Sequence, residues 1–252
     1  MITRRELAQG FGVTAVAAAS KCDAVASWFT TNEMGDNQPA KMLPAEVAGV
    51  RLVDSKICRE AAELAREVSP PFLFNHAART YLFGALTGRA AGQRFDEEVL
   101  YLACVLHDLG LTSRFAGDLP FEIQGAQAAS AFLEQRGYPS AKSNLVWDGI
   151  AMHPLAIGQY KQPEISLVGA GAGADVVGAD PKEIKPAEVE AVLKAFPRLG
   201  FKTAFIHTCA EIVKQHPRGA SRSFMRDIGE REVPGFAPRN ICDAIAKAPF
   251  DE

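Results

Sequence analysis

The run Val99-Leu100-Tyr101-Leu102-Ala103-Cys104-Val105-Leu106 is apolar throughout and stops on His107-Asp108. Neither of those two side chains suits a hydrophobic helix. Burying an imidazole beside a carboxylate costs several kcal/mol unless both are satisfied. A divalent metal is the commonest agent that satisfies such a pair, because neutral imidazole nitrogen and carboxylate oxygen are both ordinary ligands. Adjacent helical side chains point roughly 100° apart. The pair can therefore bind one ion only from its edge, and other segments have to supply the remaining ligands.

Helical signals dominate from Val53 onward. Asp54 reads as the N-cap of a helix over 55–67, and Ser69-Pro70-Pro71 as its end. Further helices are predicted over 73–89, 97–106, 122–135, 141–152, 164–177, 186–194 and 201–215. The Gly/Ala-rich segment 164–177 reads as a buried helix packed closely by its neighbours, and the tail reads as two Pro-punctuated turns. No strand alternation and no internal repeat is evident. The expected class is all-α, with one domain over 46–252, long enough to bury a sizeable core. A net charge of −3 and the lack of a Lys/Arg run argue against a nucleic-acid partner. The five cysteines are scattered without metal or disulfide spacing, and Cys104 and Cys209 read as small buried hydrophobes.

Residues 1–20 carry Arg4-Arg5, a short weak apolar stretch and Ala17-Ala18-Ala19. They read either as a twin-arginine-like leader, which implies a periplasmic protein, or as a short N-terminal helix of a cytoplasmic one. The stretch is too short to span a bilayer, and no other segment is long enough to do so. Residues 21–45 carry Gly, Pro and Asn without clear periodicity and read as a linker.

Candidate ligands fall on separate predicted helices. His76 lies near the start of the second, His107 and Asp108 close the third, His153 ends the fifth, and Asp175 sits within Gly171-Ala172-Gly173-Ala174-Asp175-Val176-Val177. Taken singly, His76 could face solvent past the Pro turn, and His153 could complement a helix dipole before Pro154. Asp175 is harder to dismiss, since a carboxylate among Gly, Ala and Val needs a cation, a strong donor or a metal. The order His, His-Asp, Asp favours one joint metal site. His207 reads as a core or ligand-supporting histidine, and His216 as exposed.

The pattern resembles the HD-domain metalloenzymes, and within them the cyanamide hydratase-like proteins. The resemblance rests on Phe74-Asn75-His76-x-x-Arg79, the Leu102–Gly110 stretch, Phe121-Glu122-x-x-Gly125-Ala126, Met152-His153, Gly173-Ala174-Asp175 and Phe196-Pro197-Arg198-x-Gly200-Phe201-Lys202. It implies a single HD-type helical bundle with His76, His107, Asp108 and Asp175 as metal ligands. His153 would bind substrate or transfer protons, and Asn75 and Glu122 would face the substrate or support the ligands. HD proteins that hold two irons and act as oxygenases carry further histidines between the His-Asp pair and the final Asp, whereas here His153 is the only one in that interval, so the resemblance implies one metal rather than two and hydration or hydrolysis rather than oxygen activation. Zn2+ is the first choice, with Fe2+, Mn2+ and Ni2+ also compatible with mixed N/O ligands.

The activity implied is hydration of a small nitrile, cyanamide to urea, by a water whose pKa the ion lowers. His153 would hold or protonate the developing nitrogen anion. Glu122 could position the water, or could simply be an acidic first-turn residue. The alternative is a phosphohydrolase acting on a nucleotide or other phosphomonoester, with Arg79, Arg94 and Arg114 as candidate phosphate-binding cations. A second alternative is a non-catalytic ligand-binding HD domain. The expected partner is a small molecule; whether the chain forms a homo-oligomer is left open.

Overall fold

The computed structural model describes residues 43–179 and 184–249. The 1–20 segment and nearly all of the expected linker lie outside the described residues. The described ones belong to one compact unit, Leu43–Glu252. They form an all-α bundle: eleven α-helices, two 3-10 turns and one small antiparallel hairpin, β1 (Glu46–Val47) with β2 (Val50–Arg51). Strands of two residues are too short to show alternation, which is why the sequence did not reveal them.

Helix α1 (Lys56–Val68) is capped by Ser55 rather than Asp54, the Ser55 hydroxyl accepting from the Cys58 amide. Helix α2 (Pro71–Ala90) starts on Pro71 instead of Leu73, because a proline at the first helical position lacks an N–H that would be unpaired there anyway. Asp96 caps α3 (Glu97–Leu106) by accepting from the Glu98 and Val99 amides at 3.0 and 3.2 Å. Helices α4 (Phe121–Glu134), α5 (Ser140–Met152) and α6 (Pro163–Val177) each begin one residue earlier than expected.

Every residue of α3 from Val99 to Leu106 is buried. A helix that is apolar all round has no face for solvent, and α1, α2, α4, α5 and α6 all pack against it. The most extensive packing of the bundle joins α2 to α6. A Cβ on Gly171 would come within 2.0 Å of the Thr80 carbonyl oxygen, so only glycine permits this approach of the two backbones. The helices run antiparallel. One turn on from Gly171 is Asp175, and one turn back from Thr80 is His76. The contact that glycine allows thus brings a carboxylate and an imidazole from distant parts of the chain face to face.

Helices α7 (Pro186–Ala195) and α8 (Phe201–Gln215) follow. The tail forms three short helices, α9 (Pro217–Ala220), α10 (Met225–Glu232) and α11 (Ile241–Ala246), where turns were expected. They bury little, α11 nothing at all, and so carry no apolar period to read. A second apolar cluster, including Phe72, Phe121, Phe201, Phe205, Ala220 and Met225, packs α8, α9 and α10 onto the start of α2. No helix among the described residues is long and apolar enough to cross a membrane.

Candidate metal centre

Helix α3 ends at Leu106, and His107 and Asp108 turn out of it into a 3-10 turn over Leu109–Leu111. The turn packs directly on α4. A Cβ on Gly110 would lie 1.9 Å from the Phe121 carbonyl oxygen, so glycine is required here too. The pair therefore sits at a rigid, buried helix end.

His76, His107 and Asp108 form a buried group whose potential ligand atoms lie within 4.8 Å of one another, and this cluster can hold a metal ion. His76 Nε2 and His107 Nε2 are 3.2 Å apart, and Asp108 Oδ2 is 3.5 and 3.2 Å from them. Their hydrogen bonds set the protonation of both rings. His107 Nδ1 lies 2.7 Å from the Cys104 carbonyl oxygen, which can only accept. His76 Nδ1 lies 2.7 Å from Asp175 Oδ2. Each Nδ1 thus carries a proton, and each neutral ring turns an Nε2 lone pair toward the other and toward the Asp108 carboxylate. Three electron-rich atoms at this spacing repel one another unless a cation lies among them.

Asp108 Oδ2 is buried and accepts no well-directed hydrogen bond despite the short distances. The spacing fits a metal: a tetrahedral ion with ligands at ~2.0–2.1 Å holds its ligand atoms about 3.3 Å apart. His76, His107 and Asp108 would hold such an ion and leave it a position for water or substrate. Burial alone would raise the Asp108 carboxyl, but the neighbouring His107, with His76 and His153, brings it down to about 2. Burial pushes His107 down, and the Asp108 charge and the Cys104 carbonyl outweigh it. For His76 burial prevails and the pKa is lowered.

Asp175, expected as a fourth ligand, lies outside this cluster and behind His76. Its Oδ1 accepts from Arg79 Nε at 2.8 Å and Arg198 Nη1 at 2.6 Å; its Oδ2 accepts from Arg79 Nη2 and His76 Nδ1, both at 2.7 Å. Burial would raise its pKa, yet these bonds hold it well below the carboxylate range. A carboxylate on the far nitrogen of a ligating histidine fixes ring and tautomer and strengthens the ligand.

Arg79 is neither a phosphate clamp nor a helix-surface residue. It is fully buried, bonded to Asp175, and also donates to the Phe196 and Pro197 carbonyls at 3.0 and 3.1 Å. Asn75 likewise gives its side-chain amide to the Pro197 carbonyl at 2.8 Å. The Phe196-Pro197-Arg198 segment is thus a clasp that locks Asp175 in place. Arg198 carries no expected role in the sequence, where the Phe196-Pro197-Arg198 motif is its one signal.

The cluster opens into a cleft of about 550 Å³, also lined by His153 and by Met152, Leu155, Phe205 and Phe224. His153 Nδ1 donates to the Ile150 carbonyl at 2.7 Å, and its ring stands against those of His107 and Phe121. Burial and the neighbouring His107 depress it to about 3. It is therefore neutral near pH 7, with an Nε2 lone pair. Asn75 and Glu122 do not line the cleft, nor does any Lys or Arg. Glu122 is buried with Oε2 unpartnered, and burial raises its carboxyl despite an opposing bond from Ser223. Of the other expected phosphate-binding cations, Arg114 pairs with Glu67 on the surface and Arg94 is exposed. His207 is half-buried on α8 outside the cleft. His216, expected to be exposed, is half-buried and faces Asp118 at 3.2 Å.

No family model matches the chain. Two cyanamide hydratases of Saccharomyces cerevisiae (strain ATCC 204508 / S288c), DDI2 and DDI3, are each 24% identical to it over 71% of this chain and 81% of their own length.

Proposed function

We propose that this chain is a metal-dependent hydratase of the HD type that adds water across the triple bond of a small neutral nitrile, with cyanamide as the reference substrate. The observation that carries the proposal is the buried triangle of His76 Nε2, His107 Nε2 and Asp108 Oδ2 at the floor of a cleft without cationic side chains. The distant similarity to two cyanamide hydratases supports the same chemistry.

His76, His107 and Asp108 would hold the ion, with Asp175 keeping His76 oriented. Such an ion supplies Lewis acidity, lowering the pKa of a water and polarising the nitrile. His153 offers an acceptor at Nε2, because its Nδ1 proton is engaged by the Ile150 carbonyl. It would take a hydrogen bond from the attacking water and relay that proton to the nitrile nitrogen. In balance, the water oxygen bonds to the nitrile carbon, one C–N π pair moves to nitrogen and takes up a proton, and the second proton shifts from oxygen to nitrogen. Cyanamide plus water gives urea.

A phosphohydrolase needs several cations around the phosphoryl oxygens, and the cleft lining has none. The deciding experiment assays urea release from cyanamide beside phosphate release from a nucleotide panel, using chain loaded with Zn2+ or Mn2+. Urea without phosphate is expected; phosphate without urea would overturn the proposal.

A further inference from the structure

Cyanamide has three heavy atoms. At about 30 Å³ per water-sized unit, it fills about 90 Å³, whereas the cleft offers about 550 Å³. The surplus space is shaped by apolar groups: Met152, Leu155, Ile165, Val176, Phe205 and Phe224 form the walls. Asp108 is the one carboxylate in the lining, and it belongs to the metal cluster. Ser166 gives its hydroxyl to the Pro163 carbonyl, which leaves the Gln159 amide as the polar side chain of the wall above the floor. The apolar lining continues to the mouth, where Leu155 is 48% and Val177 76% exposed. Apolar surface at the entrance of a concave site is what an apolar ligand covers.

We infer that the substrate is a neutral nitrile bearing an apolar substituent of roughly phenyl size, its nitrile carbon at the His76–His107–Asp108 cluster and its substituent against the Met152–Phe205–Phe224 wall. This rests on the hydratase proposal and narrows it to a substrate class. The reaction balances as before: R–C≡N and water give R–CO–NH2, with R retained throughout. The wall contributes binding, and it does so for any apolar R, so the discrimination it provides is against small and against charged nitriles.

The test uses the full chain loaded with Zn2+ and two probes, phenylacetonitrile and cyanamide, each measured by titration calorimetry and by release of its amide product. One added methylene in an apolar pocket is worth about tenfold or more, so phenylacetonitrile should bind at least about tenfold more tightly and show the higher kcat/KM. A Leu155→Asp/Val177→Asp double variant, altered at two exposed positions, should lose most of that advantage. Its helical circular dichroism should be unchanged. If cyanamide is hydrated with a kcat/KM equal to or above that of phenylacetonitrile, the substrate inference is overturned while the hydratase proposal stands. If neither nitrile is hydrated, the hydratase proposal falls and takes the nitrile assignment with it. Tighter binding of phenylacetonitrile would in that case still show the wall's apolar preference.

Discussion

Asp175 is held by four side-chain hydrogen bonds, from His76, Arg198 and twice from Arg79, and both His76 and Arg79 are buried. Asp175→Asn keeps the shape and removes the charge, leaving the Arg79 guanidinium buried without its counter-ion. Breaking such a pair costs about 3–5 kcal/mol, to be read from chemical denaturation. Loss of the carboxylate behind His76 should also weaken metal binding by roughly 10–100-fold, measurable by competition with a chelating dye. Glu122 predicts the opposite sign. Burial raises its folded carboxyl above the ordinary value of 4.5, so the folded state binds more protons, and stability falls as pH rises from 4.5 through the folded value. Glu122→Gln should therefore stabilise the chain at pH 7 and lose that advantage below about pH 4, as thermal melts across pH would show. An unchanged or lower melting point at pH 7 would contradict this account of Glu122.

The helices are specified by local chemistry of different strengths. Asp96 caps α3 and also meets Lys142 Nζ at 2.8 Å. Burial would raise its carboxyl, but Lys142 and the Val99 amide lower it. Its contribution is present above the ordinary value of 3.8 and is lost as pH falls through the lower folded value. Asp96→Ala should cost about 1 kcal/mol at pH 7, with the difference from wild type shrinking in acid. Gly171→Ala places a methyl group against the Thr80 carbonyl and forces α2 and α6 apart. Overpacking of this kind costs about 1–3 kcal/mol, and here it should also reduce metal affinity because it separates His76 from Asp175. Helix α3, a continuous apolar run, and α8, with apolar residues at helical spacing, were legible in the sequence almost to the residue. Helix α11, which buries nothing, was not. The site divides in the same way. His107-Asp108 was legible because the two residues are adjacent in an apolar run. The Arg79–Asp175 bond was not, because its partners lie 96 residues apart and meet only where Gly171 lets two backbones touch.

At the scale of the molecule, the bundle encloses an apolar helix and uses its end to present a pair of polar residues to two other helices. The cleft above that point has largely apolar walls and a polar floor, and the chemistry proposed belongs to the floor. An ion that binds the folded chain and not the unfolded one adds stability by mass action. The most direct measurement is therefore metal content and melting temperature together, for wild type and for Asp108→Ala, after purification without chelator. The account predicts one transition-metal ion per wild-type chain, a melting temperature that drops on chelation, and an Asp108→Ala protein that keeps its helical circular dichroism but carries no metal. A wild-type chain that neither holds nor takes up a divalent metal, or an Asp108→Ala chain that binds it as tightly as wild type, would contradict it.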